Sequence, residues 1–287
     1  MLNNALKQAF EDLLLTPILN YQAIGGGSIN ITGKITTAEG TFFVKLNDAK
    51  KYPDMFALEA KGLDFLRLAE VIRIPKVYRV AELDDQAFLM MEFIEPGVNH
   101  GFFWDRFGQK LAQLHRFTGD QFGFEVNNYI GTLPQSNKMH NRFDEFFIVE
   151  RLQPQLKLAI DGGKLDSLFI QHFEALYKAL PEILPEEAPT MIHGDLWSGN
   201  YLADEKNEPV LVDPAAYFGH REMDLAMTVL FGGFPNLFFE AYEEANPTAP
   251  GLENRVEIYQ LYYLLTHVNL FGGAYINAVK KIIQPFS

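Results

Sequence analysis

Apolar positions recur along the chain with two different periods, and the point where one gives way to the other divides it. Leu2, Leu6, Phe10, Leu13 and Leu14 fall at helical spacing, which predicts an amphipathic first helix over residues 1–15. Short apolar runs then follow with strand character. Residues 21–24 and 29–36 flank a glycine cluster and read as a hairpin, and 41–46 is a strand entered from the Glu39-Gly40 turn. Residues 79–83 and 87–93 pair around Asp84-Asp85. Between these strands Phe56, Ala60, Leu63 and Leu66 mark a helix over 56–68. After Glu95-Pro96-Gly97 the pattern turns helical, over 103–117, 143–158, 165–180 and 259–269, with one short strand pair near 201–202 and 209–212. The expectation is an α+β chain with a small sheet-containing lobe, residues 1–95, and a larger helical lobe, residues 96–287, meeting at the Pro96-Gly97 turn.

Composition narrows the classes. With 287 residues, 48% of them hydrophobic, the chain carries enough apolar surface for a sizeable core and far too much for a disordered one. The balance of 24 Lys plus Arg against 37 Asp plus Glu gives −13, which disfavours nucleic-acid partners, since those demand basic side chains on phosphates. The absence of cysteine excludes disulfides, thiolate metal sites and a cysteine nucleophile. Residues 258–276 are long and apolar, but Gln260, Thr266, His267, Asn269 and Gly272-Gly273 make them a buried helix ending at the glycines rather than a membrane span. Residues 1–15 lack the pattern of a secretory signal, and no exposed heptad argues for assembly, so a soluble, cytoplasmic monomer is expected.

The chemistry concentrates in His193-Gly194-Asp195-Leu196-Trp197-Ser198-Gly199-Asn200, with Asp213-Pro214-Ala215 thirteen residues further on. His-x-Asp-x4-Asn with a second Asp beyond a short hairpin is the spacing of a phosphotransferase catalytic loop. The chemistry needs that division of labour. One carboxylate, Asp195, takes or orients the proton of an acceptor hydroxyl, while Asn200 and Asp213 supply hard oxygen ligands to the Mg²⁺ of a bound ATP. Pairing of 201–202 with 211–212 would bring those two ligands to one end of a hairpin. His193 and Asp195 as ligands of a metal hydrolase is the rival reading, and it lacks a third ligand nearby.

Upstream, Gly25, Gly26, Gly27 and Ser28 form a turn between strands whose amides can face phosphate oxygens, although Asn30 stands where a Gly-x-Gly-x-x-Gly loop has its last glycine. Lys45 on the next strand is the phosphate-binding candidate, and Glu59 its ion-pair partner, with Glu70 as the rival acid. The run 89–95 reads equally as a buried strand or as a linker whose backbone meets adenine. Met91, Glu92 and Phe93 are the candidates for that contact.

These residues together resemble the protein-kinase-like superfamily, and within it the fructosamine kinase (ketosamine-3-kinase) family. The narrower likeness rests on 25–30, Gly131-Thr132-Leu133-Pro134-Gln135, 193–200 with its Trp197, and the run 217–226 that contains Gly219-His220-Arg221-Glu222-Met223-Asp224-Leu225-Ala226. The resemblance implies a two-lobed kinase-like fold binding ATP and Mg²⁺. Asp195 would be the base and Asn200 and Asp213 the metal ligands, with Lys45 on the α and β phosphates. It implies structural roles for His193 and Asp224, and a ketosamine acceptor, free or protein-linked, phosphorylated on its 3-hydroxyl. Trp197, His267 and Asn269 are the expected substrate contacts, with Asp144 and Glu145 as possible receivers of an amine. Ser28 stands where some relatives carry cysteine, so a thiol switch is not open to this chain. The remaining alternatives are an aminoglycoside, choline or other sugar as acceptor, and a catalytically silent nucleotide-binding protein.

Overall fold

Helix α1 (Asn4–Leu14) presents Leu6 and Phe10 to one face of a sheet, where the Phe10 ring meets Phe88 edge-on at 4.8 Å. The structure, a computed structural model, describes residues 4–25 and 30–286. Gly26, Gly27, Ser28 and Ile29 of the glycine turn lie outside the described residues. The sheet holds β1 (Asn20–Ile24), β2 (Ile31–Thr36), β3 (Thr41–Asp48), β4 (Val77–Leu83) and β5 (Gln86–Glu92). Their order is β1-β2-β3-β5-β4, antiparallel throughout. Both faces are covered, and the two-residue period of a strand sorts the side chains. Val44, Leu46, Phe88 and Met90 pack under α1, whereas Ala87, Leu89 and Met91 face the other way. Helix α2 (Met55–Arg67) closes that second face with Phe56, Leu63 and Leu66.

Beyond β5 the chain is held rather than free. Pro96 bridges to Asp204, and the Gly97 amide donates to the Ala203 carbonyl at 2.8 Å. There follow α3 (Phe103–Leu114), the hairpin β6 (Asn128–Ile130) and β7 (Leu133–Gln135), and α4 (Phe143–Phe146). A π-helical stretch, Phe147–Leu152, runs on into α5 (Gln153–Asp161), followed by α6 (Leu168–Ile183). Two small ladders come next: β8 (Thr190–Ile192) pairs with β11 (Tyr217–Gly219), and β9 (Tyr201–Ala203) with β10 (Pro209–Leu211). Helices α7 (Glu222–Leu230), α8 (Asn236–Ala245), α9 (Leu252–Phe271) and α10 (Tyr275–Ile283) complete the chain.

Helix α9 is the helical core, with Tyr259, Leu261, Tyr262, Tyr263, Leu265 and Val268 buried around its circumference and Gly272 as its C-cap. Among the described residues no helix is long and apolar enough to cross a membrane. The sequence pattern does not announce β6, β7, β8 or β11, because three residues are too few to show a period. It also misses α7, which buries Glu222 and Asp224 along with its apolar residues and so has no polar face. One apolar cluster runs across the Pro96-Gly97 junction, joining Leu63, Leu89 and Met91 to Phe103, Phe107, Leu211 and Leu225.

Helices α3 and α8 approach most closely at Gly108, where an added Cβ would press on the Phe238 carbonyl and lie 3.0 Å from the Tyr242 amide. Replacing Gly108 by Ala gains roughly 1 kcal/mol of helix propensity, but forcing a methyl against rigid backbone costs about 1–3 kcal/mol. The Gly108→Ala protein should therefore melt below wild type in calorimetry. A higher melting temperature would show that propensity outweighs the contact.

Candidate active site

The loop that leaves β8 is fixed before it reaches any substrate. The β8–β11 register sets Ile192 opposite Tyr217, and the Ala215 amide donates to the His193 carbonyl at 3.0 Å. His193 is fully buried, and both ring nitrogens are spent. Nε2 meets the Val212 carbonyl at 2.9 Å, and Nδ1 accepts the Asp195 amide at 3.2 Å. Those partners assign the tautomer. Asp224 on α7 accepts the His193 and Gly194 amides at 2.7 and 2.8 Å, with His115 Nε2 at 3.2 Å. Burial works against the Asp224 charge, yet the His115 contact and the His193 amide hold its carboxyl below the usual range. His193 and Asp224 are therefore braces of the loop.

Asp195 follows on the partly buried lip of the cleft. Asn200 Nδ2 donates to its carbonyl at 2.8 Å and to Oδ2 at 3.1 Å. Burial, and then the neighbouring Asp213 charge, push the Asp195 carboxyl up to about 7, against the pull of the Asn200 hydrogen bond. The β9–β10 register pairs Tyr201 with Leu211, so Asn200 and Asp213 sit beyond the same end of the hairpin, as the sequence leads one to expect. The Val212 amide donates to the Asn200 carbonyl at 3.0 Å. Asp213 adopts φ 56°, a left-handed conformation that costs a non-glycine residue of order 1–3 kcal/mol and is found at functional sites.

Lys45 reaches this end from β3. Its ammonium, 3% exposed, lies 2.7 Å from Glu59 Oε1 and is ion-paired with Asp213. Burial opposes its charge, but the two carboxylates outweigh it and hold the pKa above the ordinary lysine value. Glu59, and not the exposed Glu70, is the partner.

These groups line a cleft of about 490 Å³. Asn30, Thr32 and Lys45 form its sheet side with Glu59 of α2 beside them, and Asn30 Oδ1 is buried there with no hydrogen-bond partner among the described residues. Tyr129 and Gly131 of the β6–β7 hairpin form another edge. The donor set suits Mg²⁺. Asp213 and Asn200 offer hard oxygen donors, and no cluster of three His, Asp or Glu side chains builds an all-protein cage among the described residues. That is how Mg²⁺ is held when phosphates supply the rest of its shell. The hydrolase alternative fails on His193, which has no nitrogen left for a metal.

Other sequence candidates fall differently. Met91 is a ladder residue between Phe43 and Val77 with its side chain in the core, and the Glu92 amide donates to the Lys76 carbonyl at 2.8 Å. Glu92 also pairs with Arg73 at 2.6 Å, while the Phe93 ring lies under the Lys34 ammonium at 4.0 Å. Phe93 is thus the one of the three whose backbone lies beyond the sheet. Trp197 and His267 line the cleft. The indole folds over Gly199, where any Cβ would run into it. Asn269, expected as a substrate contact, points elsewhere: its amide donates to the Gln155 carbonyl at 2.9 Å and to Gln155 Oε1 at 2.8 Å, tying α9 to α5. Asp144 is taken up by Arg142 at 2.6 Å.

Three supporting residues escape a sequence reading. Asn128 Nδ2 donates to the Ala216 carbonyl at 3.0 Å, and Gln135 Nε2 to Asn128 Oδ1 at 2.7 Å and the Ala215 carbonyl at 3.2 Å. They moor the β6–β7 hairpin to the segment that follows Asp213, and the Gly131–Gln135 run was their only local signal. His115, which steadies Asp224, carries no signal at all.

A buried Lys on an antiparallel sheet, ion-paired with a Glu of the adjoining helix and facing a helical body with a His-x-Asp-x4-Asn loop, defines a protein-kinase-like phosphotransferase. The chain belongs to the fructosamine kinase family, whose model matches residues 2–286. It is 39% identical over 276 residues to the chloroplastic protein-ribulosamine 3-kinase of Arabidopsis thaliana, covering 94% of this chain and 83% of that one. It is 39% identical over 266 residues to a protein of Enterococcus faecium named a probable ketoamine kinase, covering 91% and 93%. A crystal structure from Thermobifida fusca, put forward as a fructosamine-3-kinase, superposes with TM-score 0.88 at 33% identity over 99% of this chain and 98% of that one. An aminoglycoside phosphotransferase, covering 98% of each chain, shares the fold at TM-score 0.67 and 12% identity.

An acid whose folded pKa is raised binds more protons folded than unfolded. The ionisation of Asp195 therefore costs stability as pH rises from its ordinary 3.8 toward about 7. Asp195→Asn should melt above wild type at pH 8, and the gap should shrink at pH 5. A variant that melts below wild type at pH 8 would contradict the raised pKa.

Proposed function

We propose that this protein is an ATP-dependent ketosamine kinase that transfers the γ-phosphoryl group to the 3-hydroxyl of a sugar joined to an amine, such as a ribulosamine or fructosamine. The observation that carries the reading is the convergence of Asp195, Asn200, Asp213 and Lys45 on one cleft. It is supported by 39% identity to a protein-ribulosamine 3-kinase across nearly the whole chain. Residues 1–95 would hold the nucleotide, and residues 96–287 would carry the catalytic loop and the acceptor.

Asp195 accepts the hydroxyl proton as the oxygen bonds to the γ-phosphorus and the bond to ADP breaks. Its pKa of about 7 suits a base working near neutrality. Lys45 fixes the phosphates, and Glu59 fixes Lys45. Asn200 and Asp213 would hold Mg²⁺, which when bound neutralises phosphate charge. The transition state of such a transfer is loose, so position and electrostatics supply most of the catalysis. The product, a ketosamine 3-phosphate, is labile and releases the amine, so the biological outcome is deglycation. A cytoplasmic monomer completes the proposal.

Every position the chemistry uses holds a competent residue, which distinguishes this chain from a silent nucleotide binder. In an ATP-consumption assay with Mg-ATP, a ribulosamine or fructosamine should support turnover, and kanamycin or choline should not. Asp195→Ala should lower kcat by roughly 10²–10⁴-fold. Turnover unchanged by that substitution, or confined to the aminoglycoside or choline, overturns the assignment.

A further inference from the structure

Past the reacting loop the cleft continues along a wall of rings. Phe231 caps α7, His267 and Phe271 occupy the end of α9, and Tyr275 begins α10 after the Gly272-Gly273 turn. The rings touch in series. Phe231 lies 4.8 Å from His267, which lies 4.9 Å from Tyr275 and 5.6 Å from Phe271, and Trp197 meets Phe231 edge-on at 6.2 Å. All of them line the same cleft as Asp195. The wall runs outward: Phe271 is 61% exposed and Phe231 37%. A contiguous cluster of uncovered rings at the mouth of a site marks a binding surface rather than a packing residue.

Its charge is as informative as its shape. The acidic residues lining the cleft are Glu59, Asp195 and Asp213. Glu59 and Asp213 are ion-paired with Lys45, and Asp195 accepts from Asn200. The wall itself has no carboxylate. Burial lowers the His267 pKa, against the hydrogen bond that Nδ1 donates to the Tyr263 carbonyl at 2.8 Å, so the ring's surroundings disfavour a positive charge there.

We propose that Phe231, His267, Phe271 and Tyr275 form the subsite for the amine end of the acceptor, taking a protonated secondary amine and its alkyl stem by cation–π and apolar contact instead of an ion pair. The proposal rests on the ketosamine kinase reading and names how that substrate is chosen. Aromatic faces attract ammonium groups without contributing a formal charge.

The test compares two ligands, N-butyl-1-amino-1-deoxyfructose and its 1-O-butyl ether, by calorimetric titration into wild type, Phe271→Leu and Tyr275→Leu. Wild type should bind the amine about 2- to 30-fold more tightly than the ether. Each variant should bring the ratio toward one, with the KM for Mg-ATP unchanged. Equal binding of the two ligands by wild type, binding of neither, or a preference that survives in both variants overturns the subsite. Tight, ring-dependent binding of the amine without its phosphorylation would leave the subsite standing and refute the kinase reading instead.

Discussion

The ammonium of Lys45 is the point on which the rest of the site depends. At 3% exposure it can stay charged only because carboxylates from two different parts of the chain reach it, Glu59 from α2 and Asp213 from beyond β10. Burying a charge costs several kcal/mol, and removing one partner of a buried pair leaves the other uncompensated. The sheet, α2 and the catalytic segment are therefore committed to one relative placement. Each contributor is set by ordinary packing: strand alternation puts Lys45 opposite Val44, and the stripe Phe56, Leu63 and Leu66 turns Glu59 toward the cleft. Asp213 completes the contact from a left-handed backbone, so part of that stabilisation offsets local strain.

A second buried charge does for the loop what Lys45 does for the cleft. Asp224 is held by two consecutive backbone amides and by His115, and His115 is steadied in turn by the Tyr242 hydroxyl at 2.8 Å. The loop backbone thus has its position before substrate arrives, which is the condition for electrostatic catalysis. It also keeps Asp195 near Asp213 although the two carboxylates repel. A loop free to relax would separate them and leave Asp195 less buried, so both causes of its raised pKa, burial first and then the Asp213 charge, would weaken.

What could be read from the chain follows from how local the physics is. That Asp195, Asn200 and Asp213 come together was legible because it depends on spacing along a loop and one short hairpin. Glu59 was legible because a helical stripe fixes which way it faces. Asn128, Gln135 and His115 were not, since each acts through a contact made far away in sequence: Ala216, Ala215 and Asp224 respectively. Asn269 was misassigned because α9 is buried around much of its circumference, so periodicity cannot say which side meets the cleft. Of the ring wall only His267 was named from the sequence, and Phe231, Phe271 and Tyr275 escaped for a related reason. Its members come from α7, α9 and α10, brought together only by the tertiary fold.

The two halves of the cleft face opposite electrostatic demands. A chain with a net charge of −13 repels a polyphosphate at a distance and attracts a cationic acceptor. On the proposed nucleotide side, Lys45 would supply the local positive charge that overrides the global field. On the acceptor side the simplest way to hold an amine would be another carboxylate. A further acid beside Asp195 and Asp213 would raise the Asp195 pKa again and disfavour its ionised form. Aromatic rings would resolve the conflict, because they attract an ammonium group through their quadrupole while leaving the formal charge near Asp195 unchanged. On this reasoning the aromatic wall and the raised pKa of the base belong to one constraint: the site must recognise a cation without adding an anion where a carboxylate has to ionise.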